Sequence, residues 1–160
     1  MSKLDFSKVK LLILDADGVL TDGSFYVSNS GEVSRRFNAL DGFGIVNAVK
    51  KGLNIAIITG GKGESLVHRC KYLGVKDLFL EREDKHNVYT KILKPKLNVK
   101  DEEVAFMGDD IFDIELLKIV GFPITVPDAH DRVKDVAKYI TKRKGGEGAV
   151  REVVDLILPI

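Results

Sequence analysis

The chain has 160 residues, enough for one domain with a sizeable core. Its 25 basic and 24 acidic side chains leave a net charge of +1, so no strong field of either sign exists to hold nucleic acid or an anionic membrane; "KRKGG" at 142–146 is only a short basic patch. The single cysteine excludes an intrachain disulfide, and no apolar stretch approaches the ~20 residues of a membrane helix. Residues 1–15 lack a signal-peptide layout, because Asp15 interrupts the apolar run and no small-residue cleavage site follows. The composition is that of a cytoplasmic protein.

In chain order, "VKLLILD" (9–15) is a short apolar run followed by Gly18, which predicts a buried strand. Residues 23–38 then hold two β-rich runs around "SNSG", a hairpin signal. A lone two-stranded hairpin is marginal in water, so it either joins its own sheet or packs against copies from other subunits; the second is the reading preferred here. "GFGIVNAVKKG" (42–52) carries helical apolar spacing and a glycine stop, and "LNIAIITG" (53–60) is a second buried strand. "ESLVHRCKYLG" (64–74) is a helix in which Cys70 reads as a small buried hydrophobe. "DLFLE" (77–81) is a strand. "DKHNVYTKILKPKL" (84–97) starts as a helix that Pro95 should end. "EEVAFMGDD" (102–110) is a strand running into acids, "IFDIELLKIVG" a helix, "FPITVP" a strand and "GAVREVVDLIL" a last helix. Alternating strands and helices predict a doubly wound, mostly parallel α/β sheet over 1–160, with a hairpin insertion at 23–38 and a tail at 143–160.

In such a sheet, ligands bind beyond the carboxyl ends of the strands. Those ends here deliver Asp15 and Asp17, then Thr59, then Lys85, then Asp109 and Asp110 with Asp113 one turn on. Gathered carboxylates need a cation. Hard oxygen donors with few protein ligands suit Mg²⁺. An EF-hand loop starting at Asp15 is excluded, since Val19 and Leu20 occupy its fifth and sixth positions. An ionised Asp15 is suited to attack phosphorus, and a neutral Asp17 to protonate the leaving alkoxide and later accept a proton from water. Mg²⁺, Lys85 and the Thr59 hydroxyl would offset the repulsion between carboxylate and phosphate.

"DADGVLTD", the Thr of "IITG", Lys85 and "GDDIFD" resemble, in order, the four motifs of the haloacid dehalogenase superfamily of phosphohydrolases. "DGVLTDG", "NALDGFGI" and the tail "GGEGAVREVVDLIL" are similar in particular to the 3-deoxy-D-manno-octulosonate 8-phosphate (KDO 8-phosphate) phosphatases, small tetrameric members without a large cap domain. That resemblance implies Asp15 as nucleophile and Asp17 as acid/base. It implies a Mg²⁺ held by Asp15, the Asp17 backbone carbonyl and Asp109. It implies a substrate loop at Asn38, Ala39, Leu40, Asp41 and Gly42, with Asp17, Arg69 and Lys85 as further contacts to a sugar phosphate. Its hairpins would form an inter-subunit barrel in a homotetramer, and its tail, here Gly145 to Arg151, would reach a neighbouring active site. The sequence departs from the pattern at Val46 and Gly61, where relatives often carry a basic side chain; Arg35, Arg36 and Arg151 are candidate replacements.

Plainer roles stand beside these. Asp110 suits a helix N-cap, Asp113 suits bracing a metal-bound water or capping a helix, and Asp22 suits orienting its loop. His68, His86 and His130 form no pattern. The Gly145–Gly146 pair suits freeing the chain before the last helix. The alternatives in function are a phosphatase for another sugar-acid phosphate such as acylneuraminate 9-phosphate, a receiver-like signalling domain, and an oligomeric scaffold with a relic site.

Overall fold

A computed structural model describes residues 4–159; Met1 to Lys3 of the N-terminal stretch and Ile160 of the tail lie outside the described residues. Three strands read from the sequence are β1 (Leu11–Leu14), β4 (Asn54–Ile58) and β5 (Asp77–Phe79), and two more are β6 (Val104–Met107) and β7 (Phe122–Thr125). A sixth, β8 (Tyr139–Ile140), closes the sheet in the order β5-β4-β1-β6-β7-β8, and every neighbouring pair is parallel. Every side chain of β1 and β6 is fully buried. Such strands read as continuous apolar runs because helices cover both faces.

The chain leaves β1 toward β4 and β5, then crosses back to the other side of β1 for β6, β7 and β8. The crevice of a doubly wound sheet opens where neighbouring strands send their connections in opposite directions. Here those neighbours are β1 and β6, whose ends carry Asp15 and Asp109.

The hairpin is present as β2 (Tyr26–Val27) and β3 (Val33–Ser34), paired Tyr26 to Ser34 and Val27 to Val33. It forms a separate two-stranded sheet and does not extend the main one. Phe25, Tyr26, Val27 and Val33 are all exposed on it.

The helices are α1 (Ala39–Lys50), α2 (Glu64–Leu73), α3 (Lys85–Val88), α4 (Lys94–Leu97), α5 (Ile114–Ile119), α6 (Asp131–Lys134) and α7 (Ala149–Ile157). Cys70 is buried in α2, and burial pushes its thiol up to about 11. Pro95 does not end its helix. A π-helical stretch, Tyr89–Leu93, joins α3 to α4, and Lys94 N–H reaches back to the Tyr89 carbonyl. The wide turn shifts the hydrogen-bond ladder so that Pro95 falls in the first turn of α4, where a missing N–H costs little. Sequence patterning gave no sign of α6 or β8, which are too short for periodicity to register.

The tail is docked on its own chain. The expectation that Gly145 to Arg151 reach a neighbouring active site concerns contacts between chains; within one chain this segment packs against the turn after β1 and the start of α1. Gly146 N–H donates to the Val19 carbonyl at 3.1 Å. The α7 helix begins at Gly148 with no cap from its own side chains. The cap comes from α1 instead: buried Asp41 accepts from Gly148 N–H at 3.2 Å and Arg151 N–H at 2.9 Å. Truncating that carboxylate leaves buried donors unpaired at a helix start, so Asp41→Ala is expected to lower folding stability by about 1–3 kcal/mol, read as a shift of the urea unfolding midpoint.

Candidate active site

Asp15 follows β1 directly, in extended backbone, and its N–H donates to the Met107 carbonyl at 2.9 Å, continuing the ladder to β6. The chain then turns sharply: Gly18 has φ 93°, a left-handed value that favours glycine. A Cβ at Gly18 would lie 1.9 Å from Asp109 Oδ2, so this glycine also makes room for the second acid. Asp109 follows β6. Asp113 sits in the turn beyond it and folds back, its Oδ2 accepting from Asp109 N–H at 2.8 Å and Asp110 N–H at 3.1 Å.

Carboxylate oxygens of Asp15, Asp109 and Asp113 lie within 4.8 Å of one another. Lys85, at the start of α3, bridges two of them, with Nζ 2.9 Å from Asp15 and 2.5 Å from Asp113. Burial alone would lower the Lys85 pKa, but the two carboxylates outweigh it and raise the value, so the ammonium keeps its proton. With all three carboxylates ionised, one ammonium leaves two negative charges without a partner.

Burial, reinforced for Asp109 by the neighbouring Asp15 carboxylate, pushes Asp15 up to about 6 and Asp109 up to about 8. Asp109 Oδ1 is a buried oxygen with no hydrogen-bond partner among the described residues. Clustered hard oxygens, an orphaned one among them, and a deficit of two charges fit a divalent cation such as Mg²⁺. Both Asp113 oxygens are taken, by Lys85 and by two backbone N–H groups, so Asp15 and Asp109 are the carboxylates placed to hold it, with Asp113 behind them.

These residues line a cavity of about 220 Å³ together with Asp17, Thr59 and Asp110. Thr59 is buried at the end of β4, and its Oγ1 accepts from Gly61 N–H at 3.0 Å. The Asp17 carboxylate turns to Arg35, with Oδ1 2.7 Å from Nε. Asp110 accepts from Ile111 N–H at 2.7 Å, the N-cap role its position suggested. Asp22 accepts from Ser24 N–H and Arg36, which holds the loop.

The predicted substrate segment is not brought to this cavity within one chain. Asn38 is the N-cap of α1, Oδ1 accepting from Leu40 N–H at 2.8 Å, so Ala39 to Gly42 form a helical first turn rather than a loop. Arg69 donates to the Asn38 carbonyl at 3.0 Å, and Asp41 faces the tail. Leu40 borders a different cavity, beside Tyr139 and Arg151. Of the candidate replacement cations, Arg35 alone reaches the acids of the site. Arg36 pairs with Asp22, and Arg151 with Asp155.

The chain is similar in sequence and in fold to known proteins. Residues 74–153 match the family model of the haloacid dehalogenase-like hydrolases. The chain is 43% identical over 150 residues to 3-deoxy-D-manno-octulosonate 8-phosphate phosphatase KdsC of Escherichia coli K12, covering 94% of this chain and 79% of that one. The corresponding crystal structure from Yersinia pestis superposes with a TM-score of 0.93 at 41% identity, covering 96% of this chain and 83% of that one. The Moraxella catarrhalis phosphatase, in complex with magnesium, phosphate and KDO, gives a TM-score of 0.93 at 34% identity over 96% of this chain and 88% of that one.

Asp109 titrates above its unfolded value of 3.8, at about 8, so the metal-free fold binds protons that the unfolded chain does not. Its stability is therefore expected to fall as pH rises from about 4 to 8. A cation needs the ionised carboxylates, so the gain in melting temperature on adding MgCl₂ should be larger at pH 8 than at pH 6. Scanning calorimetry with Mg²⁺ or with EDTA at the two pH values reads both effects; Asp109→Asn should remove most of the Mg²⁺ response.

Proposed function

The chain belongs to the haloacid dehalogenase-like hydrolases, and from that premise we propose that it cleaves 3-deoxy-D-manno-octulosonate 8-phosphate to KDO and phosphate through an aspartyl phosphate on Asp15, as in lipopolysaccharide precursor synthesis. It is a phosphoric monoester hydrolase, which sets aside the receiver and scaffold alternatives. The observation that carries the reading is the Asp15–Asp109–Asp113 cluster with its two unbalanced charges, gripped by Lys85. The identity to named KDO 8-phosphate phosphatases supports the substrate.

When bound, Mg²⁺ supplies charge neutralisation at the phosphoryl oxygens, held by Asp15, the Asp17 backbone carbonyl and Asp109, with Asp113 and Asp110 behind them. The residues of the chain do the rest. Lys85 holds Asp15 in place, and its ammonium, with the Thr59 hydroxyl, faces the transferring phosphoryl group. An Asp15 oxygen attacks phosphorus as the bond to the sugar oxygen breaks. Asp17, which must be protonated for this step and so leave the charge pair it makes with Arg35 in the free protein, gives that oxygen its proton. Asp17 then takes a proton from water, whose oxygen attacks the aspartyl phosphate, releasing phosphate and regenerating Asp15. Substrate contacts from Asn38, Ala39, Leu40, Asp41, Gly42 and Arg69 belong to the proposal only if a second copy of the chain lies across the site, since within one chain they border neither cavity beside Asp17. The exposed apolar hairpin supports a homotetramer that would supply such a copy.

Phosphate release from KDO 8-phosphate is expected with Mg²⁺ and to disappear with EDTA. Asp15→Asn should cost at least ~10³-fold in turnover. A phosphate-release screen that includes acylneuraminate 9-phosphate tests the substrate: release from that ester in preference to KDO 8-phosphate reassigns it. Small-angle scattering should give the mass of four chains, and the mass of one would remove the tetramer.

A further inference from the structure

A larger cavity, about 820 Å³, adjoins the inner one and shares Asp17, Gly60, Gly61 and Glu83 with it. A leaving group attached to a phosphoryl group in the inner cavity must extend into this outer space. One buried cation stands at the boundary. The Arg35 side chain, at the foot of the hairpin, is only 3% exposed. Its guanidinium grips both Asp17 oxygens, at 2.7 and 3.3 Å, donates to Ser65 Oγ at 3.2 Å, and lies 5.2 Å from the centre of the Phe25 ring. Three of its five N–H groups are used and two remain.

Arg35 borders the outer cavity and not the inner one, whereas Lys85 and Thr59 border the inner and not the outer. The two sets of donors therefore face different parts of a substrate. Gly61 is the condition for this seat: a Cβ there would stand 2.6 Å from Asp17 Oδ2 and 3.1 Å from an Arg35 nitrogen. The remaining outer wall holds two further cations, Lys62 and Arg82, both exposed and interleaved with acids, so Arg35 is the buried cation of this lining and the one fixed beside Asp17. Glu81, Glu83 and Asp84 are acidic, the hairpin side is apolar, and the exposed Lys62 lies 3.9 Å from Glu81. A planar guanidinium matches a carboxylate in two-point geometry.

We propose that Arg35 is a specificity-determining residue, which makes the outer cavity select phosphomonoesters whose leaving group carries a carboxylate. The inference rests on the phosphatase reading above and names a feature of its substrate. Its test is the ratio of kcat/KM for KDO 8-phosphate to that for glucose 6-phosphate, an ester with a neutral leaving group. Both need the same proton transfer, so any effect transmitted through Asp17 cancels in the ratio. Arg35→Met should lower the ratio at least ~10-fold, as expected for losing a hydrogen bond to a charged group, and Arg35→Lys should restore part of it. A second measurement is calorimetric binding of free KDO, which carries the carboxylate without the phosphate; its dissociation constant should rise at least ~10-fold in Arg35→Met. An unchanged ratio together with unchanged KDO binding would overturn the role of Arg35 while leaving the phosphatase reading intact. Absence of phosphate release from KDO 8-phosphate in the unaltered protein would sink that reading instead, and KDO binding would still decide the role of Arg35.

Discussion

The rest of the structure is arranged around an excess of negative charge at the ends of β1 and β6. Two charges 4 Å apart interact by about 4 kcal/mol at the effective dielectric of a protein site, and by far less in water. Asp15, Asp109 and Asp113 are drawn together against that repulsion. Lys85 can offset only part of it. The parallel sheet sets the spacing, because Asp15 and Asp109 leave adjacent strands whose register is fixed from Leu11–Val104 to Leu14–Met107. Moving either acid would require breaking a ladder in which every side chain is buried.

Asp113 shows how the turn after β6 is made to serve this arrangement. Its Oδ2 ties down the N–H groups of Asp109 and Asp110, and its Oδ1 takes one side of Lys85. It thereby locks the turn and orients the ammonium. A side chain that does both is fixed by the site even before it meets a cation. This explains why it is among the most buried polar groups of the chain, at 1% exposure.

Much of this was legible in the sequence, and the parts that were not have physical reasons. β1, β4, β6 and β7 announce themselves as short apolar runs, and an acid or hydroxyl placed directly after such a run must emerge at the sheet edge. That is why Asp15, Thr59 and Asp109 could be placed together without coordinates. Pro95 misled because a proline reads as a stop, whereas a wide turn upstream moved it to a position that tolerates it. α6 and β8 are too short to carry periodicity. Asn38 to Gly42 looked like a loop, but the Asn38 cap pulls the helix start forward by three residues from the predicted Gly42. Arg35 was legible only as a spare cation. Its partner, Asp17, is 18 residues away in sequence, and no local pattern reports such a contact.

The docked tail belongs to the same logic. Gly145 lies so close under the turn after β1 that a Cβ there would stand 1.8 Å from the Gly18 carbonyl oxygen, and a Cβ on Gly18 would in turn stand 1.9 Å from Asp109. Backbone is therefore stacked on backbone beneath the acids, with no side chain between the layers to yield. The outermost layer is held by Asp41 through the start of α7. A sheet edge fixes where β1 and β6 end, but not the path of the turns beyond them. Here that path is confined from below by the tail and from the side by Asp113. The carboxylates are then crowded by Asp113 inside the cavity they line and by a docked tail outside it. Loosening α7 would relax the turn at Gly18 before it disturbed any strand.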